Sequence, residues 1–249
     1  VVAWFSAGAA SAVATKLALA SHDNVVIARI DTGSEHPDND RFAADCERWF
    51  GQAIELHWSP NYVDTWDVWN RTRYLVGPGG ARCTVELKKK VRFAIERPDD
   101  VQVFGYTVEE SKRADRFRDQ NPEIDLWTPL IDAGLTKADC LAMIDRAGIE
   151  IPTMYKLGYH NNNCIACPKA TAPSYWARIH RDFPESFDRM AKVERELGVS
   201  IMREDARQHA NPRKLWLDEL DVTAVDMGAD EPDFECSLMC HLAEQETAE

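Results

Sequence analysis

The chain has no run of about 18 apolar residues, so no membrane-spanning helix is expected. It has no surplus of positive charge. A net charge of −13 excludes broad, non-specific nucleic-acid binding, which needs a cationic surface, though local basic patches leave nucleic acid open as a partner. Neither Gly-x-x-x-x-Gly-Lys-Ser/Thr nor Gly-x-Gly-x-x-Gly occurs, so two common phosphate-binding signatures are missing. There is no internal repeat and no low-complexity segment. The opening Val1-Val2-Ala3-Trp4-Phe5 is too short for a signal peptide and lacks a basic flank. It also lacks a methionine, so the numbering is expected to begin inside a natural reading frame. The seven cysteines are an odd number, spaced as in a metal site rather than a disulfide scaffold; a reducing cytoplasm is the expected location.

A hydrophobic fraction of 45% over 249 residues supports a sizeable core. Val1–Phe5, Val25–Asp31, Ala53–His57 and Val101–Tyr106 read as short buried strands. Helix-forming stretches run over Ala12–Ala20, Phe42–Phe50, Val85–Glu96 and Lys137–Ala147. This alternation predicts an α/β fold, a doubly wound and mostly parallel sheet covered on both faces. Further helices are expected over Ser174–Phe183, Pro184–Leu197 and roughly Pro212–Leu220. The expected organisation is a nucleotide-binding core over 1–170, a helical extension over 171–224 and an acidic tail over 225–249.

Ser6-Ala7-Gly8-Ala9-Ala10-Ser11 is a small-residue loop between the first strand and its helix. Such a loop either serves close packing or aims backbone N–H groups and the helix dipole at a phosphate, with Ser6 and Ser11 as further donors. Asp31-Thr32-Gly33-Ser34-Glu35-His36-Pro37 follows a central strand, at the end of the sheet where ligands bind in open α/β folds. Trp58, Trp66, Trp69 and Tyr74 precede Gly77-Pro78-Gly79-Gly80; they read as core or as a stacking surface for a base, and the glycines as a turn or a lid carrying Arg82 and Cys83. The run Lys88-Lys89-Lys90 reads as a solvated helix face or as a phosphate contact. Cys164-Ile165-Ala166-Cys167 presents two thiols from one tight turn, and Cys83 offers a third. Thiolates select zinc and iron-sulfur clusters. Cys46 and Cys140 read as packing residues.

The Ser6–Val13 loop and Asp31-Thr32-Gly33…His36-Pro37 together resemble the adenine-nucleotide α-hydrolase superfamily, and within it the phosphoadenylyl-sulfate (PAPS) and adenylyl-sulfate (APS) reductases. Gly105-Tyr106-Thr107-Val108-Glu109-Glu110-Ser111…Arg113 is similar to that family's Gly-x-Arg-x-x-(Gln/Glu)-Ser segment. Trp127-Thr128-Pro129-Leu130, Ile151–Tyr159 and Cys164-x-x-Cys167 follow in the family's order, so the resemblance covers most of the chain. It implies an oxidoreductase of sulfur metabolism. Ser6, Gly8, Ser11, Asp31, Thr32, Gly33, Gly105, Glu110 and Ser111 would bind the adenylyl nucleotide. Thr107 stands where the family has a substrate-binding arginine, so Lys112, Arg113 and Arg116 would meet the sulfate or a 3′-phosphate. Ala10 replaces the aspartate of the ATP-cleaving branch.

The resemblance further implies a 4Fe-4S cluster on Cys83, Cys164 and Cys167. Thr84 replaces the second cysteine of the family's Cys-Cys pair, which leaves one iron open. Zinc is the alternative, held by Cys83, His160, Cys164 and Cys167, or by Cys164, Cys167, Cys236 and Cys240. Glu235-Cys236-Ser237-Leu238-Met239-Cys240-His241 is similar to the reductases' terminal Glu-Cys-Gly-(Ile/Leu)-His. Cys236 would thus be the catalytic nucleophile, its thiolate taking the sulfite from the adenosine phosphate before thioredoxin or glutaredoxin releases it. A packed amphipathic segment is the bland reading. Two other functions fit the same residues: a cluster-dependent sulfurtransferase or desulfidase acting on a nucleic acid or small thio-compound, and a non-catalytic nucleotide-binding protein with structural zinc. An oligomer is compatible with all of them.

Overall fold

The computed structural model describes residues 1–77, 80–203 and 213–228. Its first half alternates as the sequence predicts. β1 (Val2–Trp4), α1 (Ala9–Ser21), β2 (Val26–Ile30), α2 (Asp38–Phe50) and β3 (Glu55–His57) follow in order. Next come α3 (Thr65–Thr72) and a small hairpin of β4 (Val76–Gly77) and β5 (Gly80–Ala81). A π-helical segment, Thr84–Lys89, then runs directly into α4 (Lys90–Ile95). β6 (Val101–Val103), α5 (Ser111–Gln120) and β7 (Asp125–Trp127) complete the central sheet.

The sheet order is β3-β2-β1-β6-β7, and every pairing is parallel. Strand β1 lies in the middle and is buried throughout, which explains its uninterrupted apolar run. Successive side chains point to opposite faces. Ala3 and Phe5 pack with α1, α2 and α7 (Lys137–Arg146), whereas Val2 and Trp4 pack with Val91 of α4 and Ala114 and Phe117 of α5. The doubly wound α/β fold is therefore observed. Strand β7 was not foreseen, because Asp125-Leu126-Trp127 is short and opens with a charge.

After α6 (Pro129–Asp132), α7 and α8 (Thr153–Lys156), the chain forms α9 (Pro173–Asp182) and α10 (Pro184–Leu197). Helix α10 starts at a proline and stops at Gly198 in the left-handed region, φ +69°. Trp176, Ile179, Phe187 and Met190 of α9 and α10 share one apolar core with Trp66 and Trp69 of α3 and with Cys83 and Cys167. The packing is thus continuous across residue 170. The helix expected over Pro212–Leu220 is replaced by strand β9 (Lys214–Leu215), paired with β8 (Met202–Arg203), and a single 3₁₀ turn, Leu217–Glu219. Tertiary bonds override local propensity here: the buried Glu194 carboxylate accepts from the Ile201 and Leu217 N–H groups at 2.5 and 2.8 Å. Among the described residues, no helix is long and apolar enough to cross a membrane.

Candidate functional site

Chain connections leave β1 toward β2 on one side, while β6 lies on the other. The resulting crevice at the carboxyl ends of these strands encloses about 210 Å³. Trp4, Ala28, Ile30, Phe104 and Tyr106 give it an apolar wall. The opposite edge is the first turn of α1, whose N-cap Gly8 makes no side-chain cap and whose first turn carries no acid. The loop ahead of it is held rigidly. The Ser11 hydroxyl accepts from the Ser6 N–H at 3.0 Å and the Ser6 hydroxyl at 3.1 Å, and donates to the Gly8 carbonyl at 2.9 Å. Ala7 adopts φ +56°, a left-handed conformation that costs a non-glycine residue about 1–2 kcal/mol. At Gly105 a Cβ would sit 2.7 Å from the Ser11 nitrogen and 2.8 Å from its Cα. Only glycine lets the end of β6 approach α1 so closely.

The polar lining comes from elsewhere in the chain. Lys137 opens α7, and its ammonium bonds the His160 carbonyl and the Asn161 side chain. Asn162 donates to the Ala7 carbonyl and to Asn39, both at 2.7 Å, tying this segment to the loop after β1. Lys88 and Glu35 form part of the wall. Glu35 lies 3.9 Å from the Lys88 ammonium and 3.7 Å from the Arg29 guanidinium, and it accepts from Asn39 at 3.1 Å. Burial pushes the Glu35 carboxyl up from the ordinary carboxylate range; Lys88 and Arg29 oppose that push.

The cysteines lie beside this crevice. Cys83, Cys164 and Cys167 are all buried, and none is in a disulfide. Thr32 and Cys164 share a hydrogen bond of 3.0 Å. The Ile165 N–H donates to the Ser34 carbonyl at 2.9 Å, so the loop after β2 braces the cysteine turn. Asp31 stiffens that loop by accepting from the Gly33 N–H at 2.8 Å. Gly33 has φ +67°, and a Cβ there would meet the Val63 carbonyl at 2.2 Å. Ala166, between the two cysteines, has φ +57°. Left-handed alanines thus occur at both the phosphate-type loop and the cysteine turn, and backbone strain of this kind collects at functional sites. The Tyr175 hydroxyl accepts from the Cys167 N–H at 2.9 Å. Burial, with the nearby Cys167 and Cys164 sulfurs adding to it, pushes this phenol well above its usual range. Among the described residues, no group of three or more His, Cys, Asp or Glu side chains is arranged to hold a metal ion.

Three short segments serve both places. Residues 32–35 carry Thr32 toward Cys164 and Glu35 into the crevice; residues 83–88 carry Cys83 and Lys88; residues 161–167 carry Asn161–Asn163 on the crevice and then the cysteine pair. Within the π-helical segment Thr84–Lys89 both Lys88 and Lys89 are buried, whereas Lys90 is exposed and pairs with Glu86 at 2.7 Å, so only the end of the lysine run is a solvated face. The neutralising partner of Lys88, Glu35, is remote in sequence, and so the burial could not be read from the run itself.

Of the residues expected to hold a nucleotide, Ser6, Gly8, Ser11, Gly105 and Glu110 line the crevice. Asp31, Thr32 and Gly33 support the cysteine turn instead. Ser111 donates to the Val108 carbonyl at the start of α5. Lys112 and Arg116 are exposed and off the lining, and Arg113 is engaged by Glu110 at 2.7 Å. Thr107 and Glu110 form a capping box on the 3₁₀ turn Val108–Glu110 that precedes α5, and both line the crevice. Lys88 and Lys137 are the cations that line the crevice among the described residues. Trp66 and Trp69 are core and Trp58 is exposed; none of them lines the crevice. Cys236 and Cys240 lie outside the described residues, as do Pro78 and Gly79. Lys137 and Asn161–Asn163 were not singled out in the sequence, although three amides abutting Cys164 were a usable signal. The sequence matches no protein-family model, and no curated protein matches it.

Proposed function

We propose that this protein is a PAPS/APS-reductase-like enzyme of sulfur metabolism that binds an adenylyl nucleotide in the crevice. Its sulfur-bearing end would face the thiols of Cys83, Cys164 and Cys167. The observation that supports this reading is the sharing of three short segments between crevice and thiols, which would bring a bound nucleotide close to sulfur. The apolar wall of Trp4, Ile30, Phe104 and Tyr106 suits a base, and the uncapped start of α1 suits a phosphate. Lys88 and Lys137 take the anion-binding role that Lys112, Arg113 and Arg116 were expected to fill.

By residue type Cys83, Cys164 and Cys167 would hold a 4Fe-4S cluster: all three are buried and none is in a disulfide, with Thr32 and Tyr175 as hydrogen-bonding neighbours, although the described side chains are not gathered around one metal position. Such a cluster supplies an electropositive, redox-active centre. The chain's own residues position the nucleotide, keep water from the thiols and hold Cys164 through Thr32. Cys236 remains the proposed nucleophile, with a thioredoxin or glutaredoxin as reductant. The three cysteines also suit the second reading, a cluster-dependent sulfurtransferase or desulfidase, because a cluster held by Cys83, Cys164 and Cys167 alone would supply an iron able to bind sulfur.

Iron, zinc and acid-labile sulfide in anaerobically purified protein, together with sulfite release from APS and PAPS, test the proposal. About four irons and four sulfides per chain are expected, lost in Cys164→Ser, with sulfite release abolished by Cys236→Ser. Release surviving Cys236→Ser but lost in Cys164→Ser would favour the second reading. One zinc, no sulfide and no turnover would refute both.

A further inference from the structure

Asn162 lies between the crevice and the loop after β1, and the orientation of its amide is set from a distance. Glu35 begins the chain of bonds. Its Oε1 faces the Lys88 ammonium at 3.9 Å and its Oε2 the Arg29 guanidinium at 3.7 Å, so both oxygens meet positive charge and serve as acceptors. The buried Asn39 must therefore turn its Nδ2 toward Glu35, at 3.1 Å, which leaves its Oδ1 facing Asn162. Asn162 meets it with its own Nδ2, which donates to Asn39 Oδ1 and to the Ala7 carbonyl, both at 2.7 Å. Turning the Asn162 amide over would set its oxygen against two acceptors. The orientation is kept even though Asn162 Oδ1 is buried and has no hydrogen-bond partner, a state that proteins normally avoid.

The far end of this relay is a strained residue. Ala7 has φ +56° and is fully buried, whereas Ser6 and Gly8 on either side of it line the crevice. In a planar trans peptide the C=O and the following N–H point in opposite directions. Holding the Ala7 carbonyl on Asn162 thus also fixes the direction of the Gly8 N–H. Leaving the left-handed region means rotating the backbone at Ala7, which re-aims the peptide groups on either side of it. The left-handed cost corresponds to about 5- to 30-fold in a conformational equilibrium, so an unclamped loop would spend most of its time in another shape.

We propose that Asn162, oriented by Asn39 and Glu35, is a positioning residue: it clamps Ala7 in the left-handed conformation and so keeps the N–H groups of the loop aimed at the anionic group of the bound ligand. Asn162 has this role only if the crevice binds a nucleotide phosphate, as proposed above. Ligand affinity then scales with the fraction of chains in which the loop is clamped.

Equilibrium dialysis of the full-length chain with adenosine 5′-phosphate, alongside urea unfolding, tests the role. Asn162→Leu keeps the size of the side chain and removes both donors; it should weaken Kd by about 5- to 30-fold. Asn39→Leu, which frees the Asn162 amide to turn, should act in the same direction. Adding Ala7→Gly to either variant should recover most of the lost affinity, because glycine occupies the left-handed region without cost. It should bring no gain in Cm, since glycine also loosens the unfolded chain. A residue that served stability alone would give no such separation of Kd from Cm. Kd within about twofold of wild type in both single variants would overturn the proposal. So would a loss that Ala7→Gly fails to recover in chains with native circular dichroism. Should Asn162→Leu fail to fold, Asn162→Ala and Asn39→Leu decide by the same criteria. Wild type that binds neither adenosine 5′-phosphate nor inorganic phosphate at millimolar concentration would remove the nucleotide reading itself, and the role of Asn162 with it; binding indifferent to these variants would remove the role of Asn162 alone.

Discussion

Substituting Gly105 by alanine separates steric fit from backbone freedom at the crevice. The added methyl would lie 2.7 Å from the Ser11 nitrogen, 2.8 Å from its Cα and 2.9 Å from the Ala10 carbonyl carbon. All three are backbone atoms of the first turn of α1, so no side chain can swing away. Overpacking of this kind costs about 1–3 kcal/mol. For a chain of this size each kcal/mol lowers the Tm by about 2–4 °C. Gly51→Ala is the matched comparison: its φ is +74°, but a Cβ there meets nothing within 4 Å. It should cost about 1 kcal/mol through conformation alone. Urea unfolding should show Cm lowered at constant m for both variants, more for Gly105→Ala. Equilibrium dialysis with an adenosine 5′-phosphate probe should show at least a tenfold weaker Kd for Gly105→Ala only. Stability within about 0.5 kcal/mol of wild type, with unchanged probe binding, would refute the close approach of β6 to α1.

Three further outcomes are expected. Glu194→Leu leaves two buried N–H groups without their acceptor and should cost about 2–4 kcal/mol, while Glu194→Gln keeps one carbonyl and loses less; urea unfolding reads the difference. Burial pushes the Cys46 and Cys140 thiols up to about 12, so iodoacetamide at pH 8 should spare both in the native protein and label them only in denaturant. Because those values are raised, this contribution to stability is complete below the ordinary thiol pKa of about 9 and is lost as the pH climbs toward 12. Arg41 holds the Asp38 carboxyl far below the usual range through bonds of 2.6 and 2.9 Å, so that contribution is present above about pH 4 and fades on acidification. Arg41→Met should therefore be destabilised near neutral pH, and its stability should vary less with pH below 4; thermal melts from pH 3 to 7 check this.

Much of the fold was legible because the central strand β1 is uniformly apolar and because α2 and α10 are bracketed by Pro and Gly. Residues 184–197 illustrate the point: proline at the start and Gly198 at the end mark the helix as observed. Strand β7 and the β8–β9 ribbon were not legible, since two- and three-residue strands are fixed by partners such as Glu194 rather than by pattern. The small-residue loop after β1 and the Cys164–Cys167 turn were readable from residue type and spacing; the gathering of Cys83 with them was an expectation from the resemblance, and the described side chains form no three-ligand metal group. Lys88 and Lys137 could not be assigned to the crevice from sequence, because a lysine's surroundings depend on which remote carboxylate or carbonyl it meets. For the same reason Lys112 and Arg116 looked suitable, although both are exposed and off the crevice lining.

The segments 32–35, 83–88 and 161–167 each leave only a few residues between their two duties, with no room for a hinge. If the crevice holds a nucleotide as proposed, its occupancy is expected to be felt at the thiols. Any displacement of Glu35, Lys88 or Asn163 is passed along a few peptide units to Thr32, Cys83 or Cys164. On that proposal thiol reactivity is expected to change with ligand occupancy. Insertions that lengthen any of these connections would uncouple the two, even with every contact residue retained.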